Sequence, residues 1–203
     1  QSHYEYVTSQ IDITSLVDYV LINSFVVCTD WINWNTSVWR GLDPDGGHQK
    51  WGFVLWDEDA TFNHYINYTG IPNDDPDAEP CYPEDISQDP LSVIDLLNAL
   101  MDNDEFMQYY NTRYMDLMNT AFKEEETISL IEEIEDAISH DMNHHFLRWG
   151  GYSLQWHHNV NKVKNFILDR IDYIPGGMNS CYELTGPYSL TLDVYPQNAG
   201  KIQ

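Results

Sequence analysis

"KWGFVLWDEDATF", residues 50–62, runs an apolar segment straight into Asp57, Glu58 and Asp59 and returns at once to Ala, Thr and Phe. A strand that delivers carboxylates to a site at its end has this pattern. Just upstream, "SVWRGL" meets "HQKWGFVLW" across "DPDGG", a cluster with the Asp, Pro and Gly that a chain reversal needs. The two segments are expected to pair as a β-hairpin. If the alternation of the second strand persists, Glu58 points away from the side shared by Asp57 and Asp59.

Helical patterns flank the hairpin. In "ITSLVDYVLINSFVV", residues 13–27, apolar residues recur at Leu16, Val17, Val20, Leu21 and Phe25, with Ser15 and Asp18 in capping-box spacing, so a core helix is expected there. "CTDWINWNT", residues 28–36, breaks the period and reads as a loop. Residues 63–90 hold five Pro and many Asp and Asn without apolar period, as a long ordered loop or flap does. Asp89 and Pro90 then suit N-cap and N1 of a helix whose buried face is Leu91, Ile94, Leu97 and Leu100. Three more helices are expected at about 104–121, 125–147 and 157–173, the last ending before Pro175-Gly176-Gly177. The fold class is therefore α+β, mostly helical, with residues 1–185 as one unit and 186–203 alternating like the start of a following β-module.

The chain has 203 residues, 42% apolar content and seven Trp, enough to fill a core. Its 33 acidic residues against 9 basic ones give a formal charge of −24, which argues against a nucleic-acid or anionic-membrane partner, since either needs a basic face. No apolar run is long enough to span a membrane. The absence of a starting Met and of a signal pattern suggests a piece of a longer product, with a secreted or cell-surface setting. A Cys81–Cys181 disulfide, with Cys28 buried and free, fits that setting. Asp74, Asp75, Asp77 and Glu79 crowd four carboxylates into six residues, a possible Ca²⁺ site or a solvated loop. The pairs His144-His145 and His157-His158 lack the thiol or HExxH spacing of a zinc site.

Asp30 and Asn35 stand five apart in the loop after the first helix, ahead of the hairpin and of Asp57 and Asp59. Loop, hairpin, acidic loop is the order in the large lobe of protein kinases. There one carboxylate aligns the attacking hydroxyl, while an amide oxygen and another carboxylate hold Mg²⁺ against the phosphates; hard cations favour such oxygen donors.

On these residues, from about Ile11 to Ile171 and through "IDITSLVDYVLINSFVVCTDWINWNTSVWR", "KWGFVLWDEDATF" and "WHHNVNKVKNFILDR", the chain resembles the CotH kinase family of atypical secreted or spore-coat kinases. The resemblance implies a kinase-like large lobe that uses ATP and Mg²⁺ (or Mn²⁺) to phosphorylate Ser or Thr hydroxyls of a protein substrate. It carries the catalytic aspartate to Asp30, the companion metal ligand to Asn35, and the metal-binding aspartate to Asp57 or Asp59. Ala60 and Asn63 depart from the small or Gly residues common at their positions. The phosphate-pairing Lys belongs to a small lobe expected upstream of Ile11, so the isolated chain is expected to turn over little ATP. The rival reading is a non-catalytic acidic module of a surface protein that binds Ca²⁺ or mediates adhesion.

Overall fold

The computed structural model describes residues 2–185 except Asn33 and Tyr65, and a few positions beyond; the β-module expected at 186–203 lies largely outside the described residues. Among the described residues six α-helices and one two-stranded antiparallel sheet make a mostly helical α+β protein. Helix α1 (His3–Gln10) was not foreseen from the apolar pattern, because it buries no residue. What starts it is a capping box: Ser2 Oγ accepts from the Glu5 N–H, and Glu5 reaches back to the Ser2 N–H.

Helix α2 (Ile13–Val26) is the centre of the core, with Leu16, Val17, Tyr19, Val20, Leu21 and Phe25 all buried. Its cap differs from the expectation. Asp12 is the N-cap and accepts from the Ser15 N–H, whereas Asp18 turns outward to a bidentate pair with Arg113 at 2.7 and 2.8 Å. Ser15 instead docks the sheet, its hydroxyl accepting from the Phe53 N–H at 2.8 Å.

The hairpin forms with strands β1 (Ser37–Trp39) and β2 (Gly52–Val54) in the register Ser37–Val54, Val38–Phe53, Trp39–Gly52. Gly41 is needed in the connection, where a Cβ would lie 2.7 Å from the Gly47 carbonyl oxygen. Residues 63–90 carry no strand and no α-helix among those described, only a 3₁₀ turn at Tyr82–Asp85.

Helix α3 spans Val93–Met101 and not 90 onward. Asp89 still caps it, but from outside a turn, its carboxylate accepting from the Ile94 N–H at 2.6 Å; Leu91 consequently lies exposed while Ile94, Leu97 and Leu100 are buried. Helix α4 (Asp104–Met118) packs on α2 and α3.

Helices α5 (Glu124–Trp149) and α6 (Ser153–Tyr182) form a long antiparallel pair. Contrary to the expected stop, α6 runs through Pro175 and Gly176 for two more turns. Tertiary contacts override the helix-breaking residues: a Cβ at Gly177 would lie 2.6 Å from Pro80, so the small residue lets the helix lie directly on the flap. There Cys181 is disulfide-bonded to Cys81, while Cys28 is free and buried.

Candidate active site

The site grows from the end of α2. Val27 takes the left-handed conformation at φ 49°, and the Cys28 N–H closes back on the Asn23 carbonyl at 3.0 Å, a Schellman-type stop built on a buried valine where glycine is usual. Trp31 and Ile32 then plunge into the core, both fully buried, and anchor the loop between Asp30 and Asn35. Thr36 donates to the Trp31 carbonyl at 2.7 Å and is itself held by Tyr19 at 3.0 Å. Asn35 Nδ2 donates to the Asp30 carbonyl at 2.8 Å and to Asp30 Oδ2 at 3.2 Å. The five-residue spacing is thus a bridge across the loop that pins the Asp30 carboxylate by one oxygen. The other, Oδ1, is buried with no hydrogen-bond partner.

Strand β2 ends at Val54, so Asp57 to Asp59 belong to a turn and strand alternation does not set their directions. Asp57 sits at φ 59°. Asp57 and Asp59 are exposed, whereas both carboxylate oxygens of Glu58 are buried and without a partner. Glu58 therefore faces inward, toward Cys28, and burial raises its pKa.

The acidic turn is tied to the Asp30 loop through Thr29. Its N–H and hydroxyl both donate to the Ala60 carbonyl, at 2.9 and 3.2 Å, and its own carbonyl accepts from the Thr69 N–H at 2.9 Å. Phe62 adds a bond to the Val26 carbonyl at 3.0 Å. The two departures from the family pattern fit this geometry. Ala60 is small and buried, and Asn63 stands at φ 50°, a left-handed position that Asn tolerates better than most residues besides Gly. Its side chain also donates to Asp75 at 2.7 Å.

The electrostatics join the two loops. Burial raises the Asp30 pKa most, the negative charges of Asp59 and Asp57 raise it further, and the Asn35 hydrogen bond opposes them. The charges of Asp57 and Asp59 thus bear on the Asp30 carboxyl, one oxygen of which is buried and without a hydrogen-bond partner.

A model of the CotH kinase protein family matches residues 1–174. The chain belongs to the CotH kinase family. Comparisons with curated proteins and with solved structures find no match. The family implies a kinase-type activity with ATP and a divalent metal. The donors here suit such a metal in kind: aspartate carboxylates, the Asn35 amide oxygen and the unpartnered Asp30 Oδ1 are hard ligands. Among the described residues no three His, Cys, Asp or Glu side chains stand close enough to cage an ion. Mg²⁺ needs no such cage, since it takes one or two carboxylates and completes its shell with phosphate oxygens and water.

Elsewhere in this CotH kinase family chain, the second acidic stretch is arranged differently. Asp77 accepts from Asn73 at 2.9 Å, Glu79 from Tyr173 at 2.9 Å and Asp75 from Asn63. The four carboxylates considered for Ca²⁺ are thus not gathered into one cluster, because neighbouring amides and a phenol take three of them up. Of the histidines, His157 pairs with Glu135 at 2.8 Å. Arg40 lies over the Trp51 ring.

Sequence reasoning missed Arg170. It is fully buried and has no carboxylate partner among the described residues; its guanidinium donates to the backbone carbonyls of Ser24 (2.9 Å), Phe25 (3.2 Å), Pro76 (3.0 Å) and Ala78. This one side chain clamps the flap to the end of α2, directly before the Asp30 loop. A lone Arg at the end of an apolar helical run, in "NFILDR", was the available signal.

Proposed function

We propose that this chain carries the hydroxyl-orienting and metal-holding part of an atypical kinase that transfers the γ-phosphoryl group of ATP to Ser or Thr hydroxyls of secreted or cell-surface proteins, with Mg²⁺ or Mn²⁺. The observation that carries this reading is Asp30: one carboxylate oxygen pinned by Asn35, the other bare, and the whole group facing the charges of Asp57 and Asp59.

In this role Asp30 aligns the acceptor hydroxyl and takes its proton as the bond to phosphorus forms. Asn35 fixes the Asp30 rotamer through Nδ2 and offers Oδ1 to the cation. Asp57 or Asp59 supplies the carboxylate that holds the metal. A bound divalent cation neutralises charge on the β- and γ-phosphates. Thr29 keeps the two loops in register, so the hydroxyl-orienting group and the metal-holding group stay at fixed separation.

The test, run on the full-length protein because the isolated chain is expected to turn over little ATP, is transfer of label from radiolabelled ATP to a Ser/Thr-containing protein, with Mg²⁺ or Mn²⁺ and with chelator. Metal-dependent labelling that disappears in Asp30→Asn and in Asp57→Ala or Asp59→Ala supports the reading. Labelling that is unchanged in all three removes these residues from the site.

A further inference from the structure

The α5–α6 pair is an arm. Helix α5 buries none of its residues, and in α6 none of residues 153–165 is buried, the first being Phe166. Val163 and Ile131 still pack against the core, so residues 153–162 carry the tip about 15 Å beyond the body at the helical rise of roughly 1.5 Å per residue. At the tip stands an ordered turn. Gly150 and Gly151 have φ of 84° and 94°, the Gly150 N–H bonds to the Phe146 carbonyl at 2.9 Å, and Phe146 packs on Gly151. This turn presents Leu147, Trp149, Tyr152 and Leu154 to solvent, 87%, 71%, 61% and 76% exposed.

The charge pattern changes there too. The chain has 33 acidic residues, yet residues 142–168 contain none, and they hold Arg148, Lys162 and Lys164. Lys164 is neutralised by Glu132 and Glu135, and Arg148 lies over the Trp149 ring at 5.1 Å. A convex turn of Leu, Trp and Tyr beside a lone arginine, stripped of carboxylates in a chain of charge −24, is the chemistry of insertion at a lipid headgroup boundary, where aromatic rings and arginine are at home.

We propose that the arm's tip docks this protein on a phospholipid membrane surface, with Leu147, Trp149, Tyr152 and Leu154 entering the interface. The body's charge does not forbid it. At physiological ionic strength charges are screened over about 8 Å, and Asp141, the last acidic residue before the tip, stands six residues ahead of Leu147, about 9 Å along the helix. The net charge that excludes a basic face for the molecule as a whole does not describe its tip.

Co-sedimentation of the purified protein with vesicles tests this, using phosphatidylcholine alone and phosphatidylcholine with a minority of phosphatidylserine. The protein is expected to sediment with both. The double variant Leu147→Glu/Trp149→Glu is expected to lower the bound fraction by roughly tenfold or more, with far-UV circular dichroism and melting temperature unchanged because both side chains are exposed. Should that variant misfold, Trp149→Ala gives a smaller drop of about threefold. Asp30→Asn is expected to sediment like the wild type, which separates this proposal from the kinase reading. Wild type that stays in the supernatant with both vesicles overturns the proposal, as does equal sedimentation of the tip variants. So does a tip substitution whose effect is loss of self-association without lipid, since the tip would then be a protein contact.

Discussion

Two acidic stretches of this chain look alike in sequence and differ in what surrounds them. At Asp30 one carboxylate oxygen is buried without a hydrogen-bond partner, and beside Asp57 and Asp59 the Glu58 carboxylate is buried against the Cys28 thiol. At 74–79 the carboxylates of Asp75, Asp77 and Glu79 are engaged by Asn63, Asn73 and Tyr173. The first arrangement costs stability, because burial and like charge both oppose ionisation. The second costs little and shapes a loop. Carboxylate density alone therefore does not tell a loop whose carboxylates are engaged from one that leaves a buried carboxylate oxygen unpaired.

The comparison breaks most sharply at Asp30. Asp30→Asn is expected to lower phosphoryl transfer by about 10²–10⁴-fold, the usual worth of a positioned base, while Asp75→Asn leaves it within about twofold. The same Asp30→Asn protein is expected to melt at the same temperature or higher. Asp30's folded pKa is raised above its unfolded value, so its ionisation favours the unfolded chain. Its contribution to stability is greatest below the unfolded pKa and is lost as pH rises through the folded one. The Asn variant should show less of that decline when melting is followed from acid to neutral pH.

Next in size is Arg170→Met, which removes the guanidinium donors from four backbone carbonyls, of which Ser24's keeps the Val27 N–H, and should cost about 3–5 kcal/mol in denaturant unfolding. A loss below about 1 kcal/mol would mean that the flap is held by other contacts. Opening the Cys81–Cys181 bridge by Cys181→Ser frees a loop with a sequence separation of 100 and should cost about 2–4 kcal/mol, again by denaturant midpoint. Thr29→Val removes one donor between the two site loops while keeping the main-chain bond. It should cost about 1–2 kcal/mol and weaken metal-dependent activity more than stability alone accounts for. The smallest effect belongs to the flap: Asp77→Asn should stay within about 0.5 kcal/mol and leave the melting temperature insensitive to Ca²⁺. A Ca²⁺-dependent rise in the wild type that Asp77→Asn abolishes would erase the distinction between the two stretches.

Much of this was legible beforehand. The apolar period of residues 13–27, the hairpin around "DPDGG" and the helices after residue 90 are local patterns, set by a few neighbouring side chains and by turn chemistry, and the structure contains each of them. The errors fell where distant contacts outweigh local preference. Pro175 and the glycines after it read as a stop, but contact with Pro80 and the bond to Cys81 carry α6 onward. Asp18 read as a cap residue, but Arg113, 95 residues away, takes it. Helix α1 escaped notice because its start is written in a two-residue capping box and not in an apolar face.

The sequence by itself determined the helical α+β class and the membership of the CotH kinase family, because spacing and hydrophobic period are properties of the chain. Only the tertiary structure decided which carboxylates are left unpaired, that Glu58 turns inward, and that Arg170 and Thr29 set the loops against each other. Those outcomes depend on hydrogen bonds between segments 31 to 146 residues apart, and no local pattern encodes which partner a buried polar atom finds.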